Sequence, residues 1–246
     1  MRVSSVFVEI HRLYKTFGRE AVVRGLDLAL APRETLSILG RSGCGKTTLL
    51  KLIAGLEMPE SGTVQLAGTD VTYAEPQTRG AVYLYQEPLL FPHLNAWENI
   101  AFGLRLRDEP QAAIALRVEE MLEDLELTTH ARKMPNQLSG GQRQRVAFGR
   151  AIIIRPALLL LDEPFASLDV EIRGAMQHLF KRLVKRYEIT SIFVTHDLKE
   201  ALLMGDRIAF MKEGRLHAYD SKEAFIRDPE IGVLDEIAFW KGLISE

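Results

Sequence analysis

Apolar positions along the chain follow two periods. Over residues 6–30, Val6, Val8 and Ile10 alternate with Phe7 and Glu9, and Leu26, Leu28 and Leu30 alternate with Asp27 and Ala29. A period of two is that of a strand with one buried face, so this stretch predicts antiparallel β-structure. Residues 35–39, 81–85, 158–161 and 191–195 form short, β-prone apolar runs of the kind found in buried parallel strands. Residues 63–66 predict a further strand, and 208–216 a hairpin turning at Glu213-Gly214. The helical period governs the rest. Residues 48–56 turn Leu49, Leu50 and Ile53 inward, and residues 95–154 are predominantly helical. There Ile114, Val118, Met121, Leu122 and Leu125 share one face, while Glu119, Glu120, Glu123 and Asp124 share the solvated one. Pro135 is expected to close that segment. Residues 170–187 predict a helix with Ile172, Met176, Leu179, Leu183 and Tyr187 inward, and 198–204 a shorter one. Two short helical pieces are expected to finish the chain.

Composition narrows the class. A chain of 246 residues with 47% hydrophobic positions suits one large domain, or a core carrying a subdomain. The net charge of −2 gives no reason to expect a nucleic-acid partner. A single cysteine, Cys44, excludes an intrachain disulfide and fits a reducing compartment. The first ten residues lack the apolar segment of a signal peptide, and no run approaches the ~20 residues of a membrane span. The expectation is a soluble, cytoplasmic protein whose membrane role, if any, works through a partner.

The chemistry starts in the stretch GRSGCGKTTLL, residues 40–50. Gly40, Gly45, Lys46 and Thr47 satisfy G-x-x-x-x-G-K-[ST] between a predicted strand and a predicted helix, the setting that this phosphate-binding motif requires. Glycines let successive N–H groups converge on one anion, and the helix N-terminus adds its partial positive charge. Lys46 reaches the β- and γ-phosphates, and the Thr47 hydroxyl is a ligand for Mg²⁺. Downstream, the run at 158–161 delivers Asp162 and Glu163 at its carboxyl end. That matches the second nucleotide motif, Walker B, with Asp162 holding the metal through water and Glu163 polarising an attacking water. Ser139 is a good N-cap for a helix opening at Gly140-Gly141-Gln142, which reads either as an ordinary capped helix or as a second anion site, since two glycines leave first-turn N–H groups accessible. His196 ends the next strand, on the side where an open parallel sheet binds ligands.

Taken in order, the phosphate loop, Gln86, LSGGQ, Asp162-Glu163, Ser167-Leu168-Asp169 and His196 resemble the nucleotide-binding subunit of ATP-binding cassette (ABC) transporters, over about residues 6–216. The resemblance implies an α/β fold: a RecA-like P-loop NTPase core, an N-terminal antiparallel β-subdomain and an α-helical subdomain inserted at about 88–155. It implies a single ABC ATPase domain over 6–246. Phe17 resembles the aromatic that stacks on adenine. Gly40, Arg41, Ser42, Gly43, Cys44, Gly45, Lys46, Thr47 and Thr48 resemble the phosphate cradle. Gln86 resembles the glutamine that touches Mg²⁺ and the attacking water. Ser139, Gly141 and Gln142 resemble the signature residues that bind the nucleotide of an opposite copy. Glu163 resembles the general base, Asp162 the metal carboxylate, Asp169 the residue signalling across the dimer, and His196 the γ-phosphate contact.

The implied cofactors are ATP and Mg²⁺. The implied partners are a second copy in a head-to-tail dimer, integral membrane permease subunits and, indirectly, a periplasmic or extracellular solute-binding protein, with no nucleic acid. The place is the cytoplasmic face of the membrane. Phe91-Pro92-His93-Leu94 and Trp97-Glu98-Asn99-Ile100 are similar to bacterial importers. About thirty residues follow the last predicted hairpin, which implies that the C-terminal regulatory domain of many sugar, sulfate and polyamine importers is missing. It points instead to short importers of nitrate, sulfonates, thiamine or metal oxyanions. Exporter-type ATPases belong to the same class. DNA-repair ABC proteins need a long coiled coil between the phosphate loop and the signature, translation types need two cassettes, and a P-loop kinase leaves LSGGQ unexplained. Two positions depart from the common pattern: Arg41 stands where proline is frequent, and Phe148-Gly149 replaces a small aliphatic pair. The sequence gives no reason for that pair.

Overall fold

The computed structural model describes residues 6–234. The chain divides into two compact units, one made of the chain up to Glu75 and from Ile192 onward, the other of Pro76–Ser191.

The first unit begins with strands β1 (Val8–Phe17) and β2 (Glu20–Leu30), paired antiparallel from Val8↔Leu30 to Phe17↔Glu20. Strand β1 therefore continues through Tyr14 to Phe17, and the turn falls at Gly18, whose φ is +61°. Next come β3 (Thr35–Leu39), buried throughout, and helix α1 (Lys46–Ala54). The helix starts two residues earlier than its apolar period predicts, because Gly45 adopts φ +108° and opens it directly. Gly55, also left-handed, ends it. Strands β4 (Ser61–Leu66) and β5 (Thr69–Asp70) complete an antiparallel sheet ordered β2-β1-β4-β5.

The second unit opens with a 3₁₀ turn at Pro76–Thr78 and strand β6 (Ala81–Leu84), followed by helices α2 (Ala96–Arg105), α3 (Gln111–Asp124) and α4 (Gly140–Ile152). Strand β7 (Leu158–Asp162) then runs parallel to β6, and helix α5 (Val170–Arg186) follows. Ile114, Val118, Met121, Leu122 and Leu125 are all buried along α3. Asp124 is not on a solvated face, since it accepts from the Tyr187 hydroxyl at 2.8 Å and pairs with Arg186. Pro135 does not close a helix but opens a one-turn 3₁₀ segment at Pro135–Gln137, where its missing N–H costs nothing. Each residue of the Glu98-Asn99-Ile100 stretch has a separate task. Glu98 completes a capping box with Asn95 at the start of α2. Asn99, fully buried, accepts from Phe91 N at 2.9 Å and donates to Leu94 O at 2.8 Å, tying down the loop after Gln86. Ile100 fills the core.

The pair Phe148-Gly149 finds its reason here. Phe148 is fully buried, with ring centroids 5.8 Å from Phe165 and 5.4 Å from Phe180. At the next residue, on another face of the helix, a Cβ added to Gly149 would lie 2.5 Å from Leu125 Cδ1 and 3.3 Å from Ile100. One large and one absent side chain thus let α4 pack against an aromatic cluster on one face and close to α2 and α3 on another.

Strand β8 (Thr190–Thr195) crosses the boundary between the units. The first unit resumes with α6 (Leu198–Met204), the hairpin β9 (Arg207–Lys212) and β10 (Arg215–Ala218), and α7 (Lys222–Arg227). Strand β3 lies between β9, which it pairs in parallel, and β8. Of the two expected terminal helical pieces, α7 is the first, and the second lies largely outside the described residues.

Candidate functional site

In the first unit, the phosphate loop leaves the end of β3 and is held on several sides. Gly40 N donates to Thr195 O at the end of β8, at 3.3 Å. Any side chain on Gly40 would collide with the Met211 carbonyl, and one on Gly45 would lie 2.6 Å from Val22 O. Gly43 and Gly45 both have positive φ, +81° and +108°. Lys46 is 5% exposed and donates through Nζ to Gly40 O at 2.7 Å and Arg41 O at 3.1 Å, so it folds back across the loop. No acid occupies the first turn of α1, which leaves the partial positive charge of that end unopposed from within. Thr47 is exposed and Thr48 half-buried. Arg41, Ser42, Gly43 and Cys44 line a cavity of about 520 Å³ with Val22, Arg24 and the β9–β10 turn.

Phe17 ends β1 and is 46% exposed, with Lys15 Nζ 4.9 Å from its ring centroid. It is not among the residues lining that cavity. His196 is exposed just past β8. Its neighbours hold it: Thr195 Oγ1 donates to the buried Glu200 carboxylate at 2.7 Å, and Asp197 caps α6 by accepting from Glu200 N at 3.1 Å. Thr195 and Glu200 escaped the sequence reading, which offers no signal for them beyond a polar strand end.

In the second unit, Gln86 and Asp162 stand at the carboxyl ends of neighbouring parallel strands, with Leu84 opposite Leu161. Gln86 is exposed, and Asp162 and Glu163 are half-buried. The Tyr83 hydroxyl donates to Asp162 Oδ2 at 2.7 Å. Burial first, and then this bond, push the Tyr83 phenol far above the ordinary tyrosine value, so it stays a donor. Glu163 has φ +45° directly before Pro164, a conformation that both its side chain and the following proline disfavour. Such strain is characteristic of functional positions.

Helix α4 opens with Ser139, which accepts from Gln142 N at 3.3 Å while Gln142 Oε1 accepts from Ser139 N at 3.0 Å. Gly140 is exposed, but Gly141 is buried, because its missing side chain makes room for Ile172, whose Cγ2 would lie 2.8 Å from a Cβ there. Ile172 is accordingly 38% exposed and off the inward face expected for it. Ser139, Gly141, Gln142, Arg145, Glu126 and Ile172 line a recess of about 260 Å³. Gln144 Nε2 donates to Pro164 O at 2.9 Å, so α4 is tied to the residue after Glu163. Asp169 precedes α5, exposed beside Val170, which is 82% exposed.

Every oxygen donor proposed for a metal (Thr47 hydroxyl, Gln86 carbonyl, Asp162 carboxylate) is hard, which fits Mg²⁺. Among the described residues no group of three His, Cys, Asp or Glu side chains forms a metal cage. One carboxylate completed by substrate phosphates is how Mg²⁺ is usually held.

Residues 23–166, more than half of the chain, match the family described as ABC transporter. The chain belongs to the ABC transporter family. It is 42% identical to the spermidine/putrescine import ATP-binding protein PotA of Escherichia coli strain K12, across 98% of this chain and 65% of that protein. The PotA proteins of Shigella boydii and Shigella sonnei match at the same identity and coverage. The chain thus spans less than two thirds of the length of these relatives. These relatives carry the name of spermidine/putrescine import. No helix among the described residues of this ABC transporter chain is long and apolar enough to cross a membrane.

Proposed function

We propose that this chain is the ATP-hydrolysing subunit of an importer, working as a head-to-tail dimer on separate permease subunits. The observation that supports it most is the phosphate loop itself. A buried strand feeds two left-handed glycines, an acid-free helix N-terminus and a lysine folded across the loop. Such an end attracts a polyphosphate.

In this reading the N–H groups of residues 40–48 cradle the β- and γ-phosphates, Lys46 turns from Gly40 O toward them, and Phe17 stacks on adenine. Thr47, Gln86 and Asp162 hold Mg²⁺, which neutralises phosphate charge when bound. Glu163 accepts the proton of a water as its oxygen forms the new bond to the γ-phosphorus and the bond to ADP breaks. His196 contacts the γ-phosphate. The signature recess at Ser139, Gly141 and Gln142 closes on the nucleotide of the other copy, with Asp169 and the exposed Val170 at the shared surface. A two-fold axis makes that interface self-complementary, so ATP joins two copies and hydrolysis releases them.

The import direction is supported by the relatives' names, which describe an import ATP-binding protein; the permease subunits, a solute-binding protein and the cytoplasmic face of the membrane are what the family resemblance implies. A polyamine is the first solute to assay. Glu163→Gln tests the core of the proposal. It should retain ATP binding, lose about 10²–10⁴-fold in turnover, the usual contribution of a general base, and elute as a dimer in MgATP. Hydrolysis near the parent rate, or a strictly monomeric variant in saturating MgATP, overturns it.

A further inference from the structure

Strand geometry gives Asp162 a partner that the motif does not contain. In the parallel pair β6–β7, Tyr83 stands opposite Leu160. Asp162 lies two residues beyond Leu160, and side chains alternate along a strand, so Tyr83 and Asp162 share one face of the pair. A phenol is long enough to reach forward along the strands to the carboxylate, and here it does, at 2.7 Å. Tyr83 is half-buried between apolar neighbours, where a hydroxyl needs a partner. Its ring is braced by Tyr85, with centroids 4.7 Å apart. An ionised carboxylate only accepts hydrogen bonds, so the direction of this one is fixed. A donor fixed to one oxygen sets the plane in which the carboxylate presents its lone pairs.

We propose that Tyr83 is a positioning residue for Asp162, orienting its carboxylate toward the Mg²⁺ of bound MgATP. The inference rests on the metal role given to Asp162 above. Partners that orient a metal ligand usually change metal affinity by 10–100-fold when removed.

The test measures binding of a fluorescent ATP analogue to the whole chain, with Mg²⁺ titrated and with EDTA, together with the thermal midpoint in EDTA. Tyr83→Phe removes one oxygen and keeps the ring. It should raise the Mg²⁺ concentration for half-maximal tightening about tenfold, while affinity in EDTA and the midpoint stay near those of the parent. Tyr83→Met, which also lacks the donor, should raise it likewise. In an Asp162→Asn background, Tyr83→Phe should add nothing. A purely structural role would instead lower the midpoint and the EDTA affinity and leave the Mg²⁺ requirement unchanged, which overturns the inference. If Asp162→Asn raises the Mg²⁺ requirement and Tyr83→Phe does not, the positioning role alone falls. If Asp162→Asn itself has no effect, the metal assignment falls and takes the inference with it.

Discussion

The ring of Phe148 meets that of Phe165 nearly edge-on, at 5.8 Å and 79°, joining the signature helix to the segment just past the Walker B carboxylates. Aromatic pairs in this geometry contribute beyond their buried area, and Phe180 completes the cluster. Phe148→Ala is therefore expected to cost about 3–5 kcal/mol. Chemical denaturation should show a lower midpoint at unchanged slope, and a loss under 1 kcal/mol would contradict the packing described.

Cys44 is half-buried and lines the cavity beside Ser42 and Gly43, while its carbonyl accepts from Gly214 N at 3.3 Å. An alkyl group on its sulfur would enter the space assigned to phosphate. N-ethylmaleimide should abolish ATP binding, and prior MgATP should slow the labelling. Equal labelling with and without nucleotide, followed by mass spectrometry, would place Cys44 outside the nucleotide site.

Glu126, at the recess beside the signature, pairs with Arg145 at 2.6 Å and Arg182 at 3.5 Å. The hydrogen bond from Arg145, then its charge, hold the carboxyl below its ordinary value of 4.5. A depressed carboxyl stabilises the fold above its unfolded value and stops doing so as pH falls through the folded one. Because Glu126 is exposed, Glu126→Gln should cost only about 0.2–1 kcal/mol at pH 7. Parent and variant should converge as pH falls through the depressed folded-state value of Glu126, where its carboxyl becomes neutral like the amide. Stability curves measured against pH that stay parallel down to pH 3 would refute the pairing.

Much of this was legible in the sequence because it depends on local chemistry. The buried strands β3 and β7 announce themselves as short apolar runs, and α6 as a short helical period. Ser139 and the glycine-lysine loop are recognisable because capping and phosphate binding need particular residues at fixed spacing. What stayed hidden depends on neighbours distant in sequence. Ile172 has the right period for the core, yet it is drawn to the signature by the gap at Gly141. Asp124 reads as one more surface acid until α5 brings Tyr187 and Arg186 to it. Tyr83 reads as one apolar position among several, since nothing in 81–85 shows which residue of β7 it will face. Phe148-Gly149 makes sense only once three helices and two further phenylalanines surround it.

Thr195 gives its carbonyl to the entrance of the phosphate loop and its hydroxyl to Glu200, one residue before the exposed imidazole of His196. One strand end thereby anchors the phosphate loop and the start of the segment that carries His196. In the function proposed above, a change at Thr195 would therefore disturb the loop that cradles phosphate and the imidazole that contacts it together.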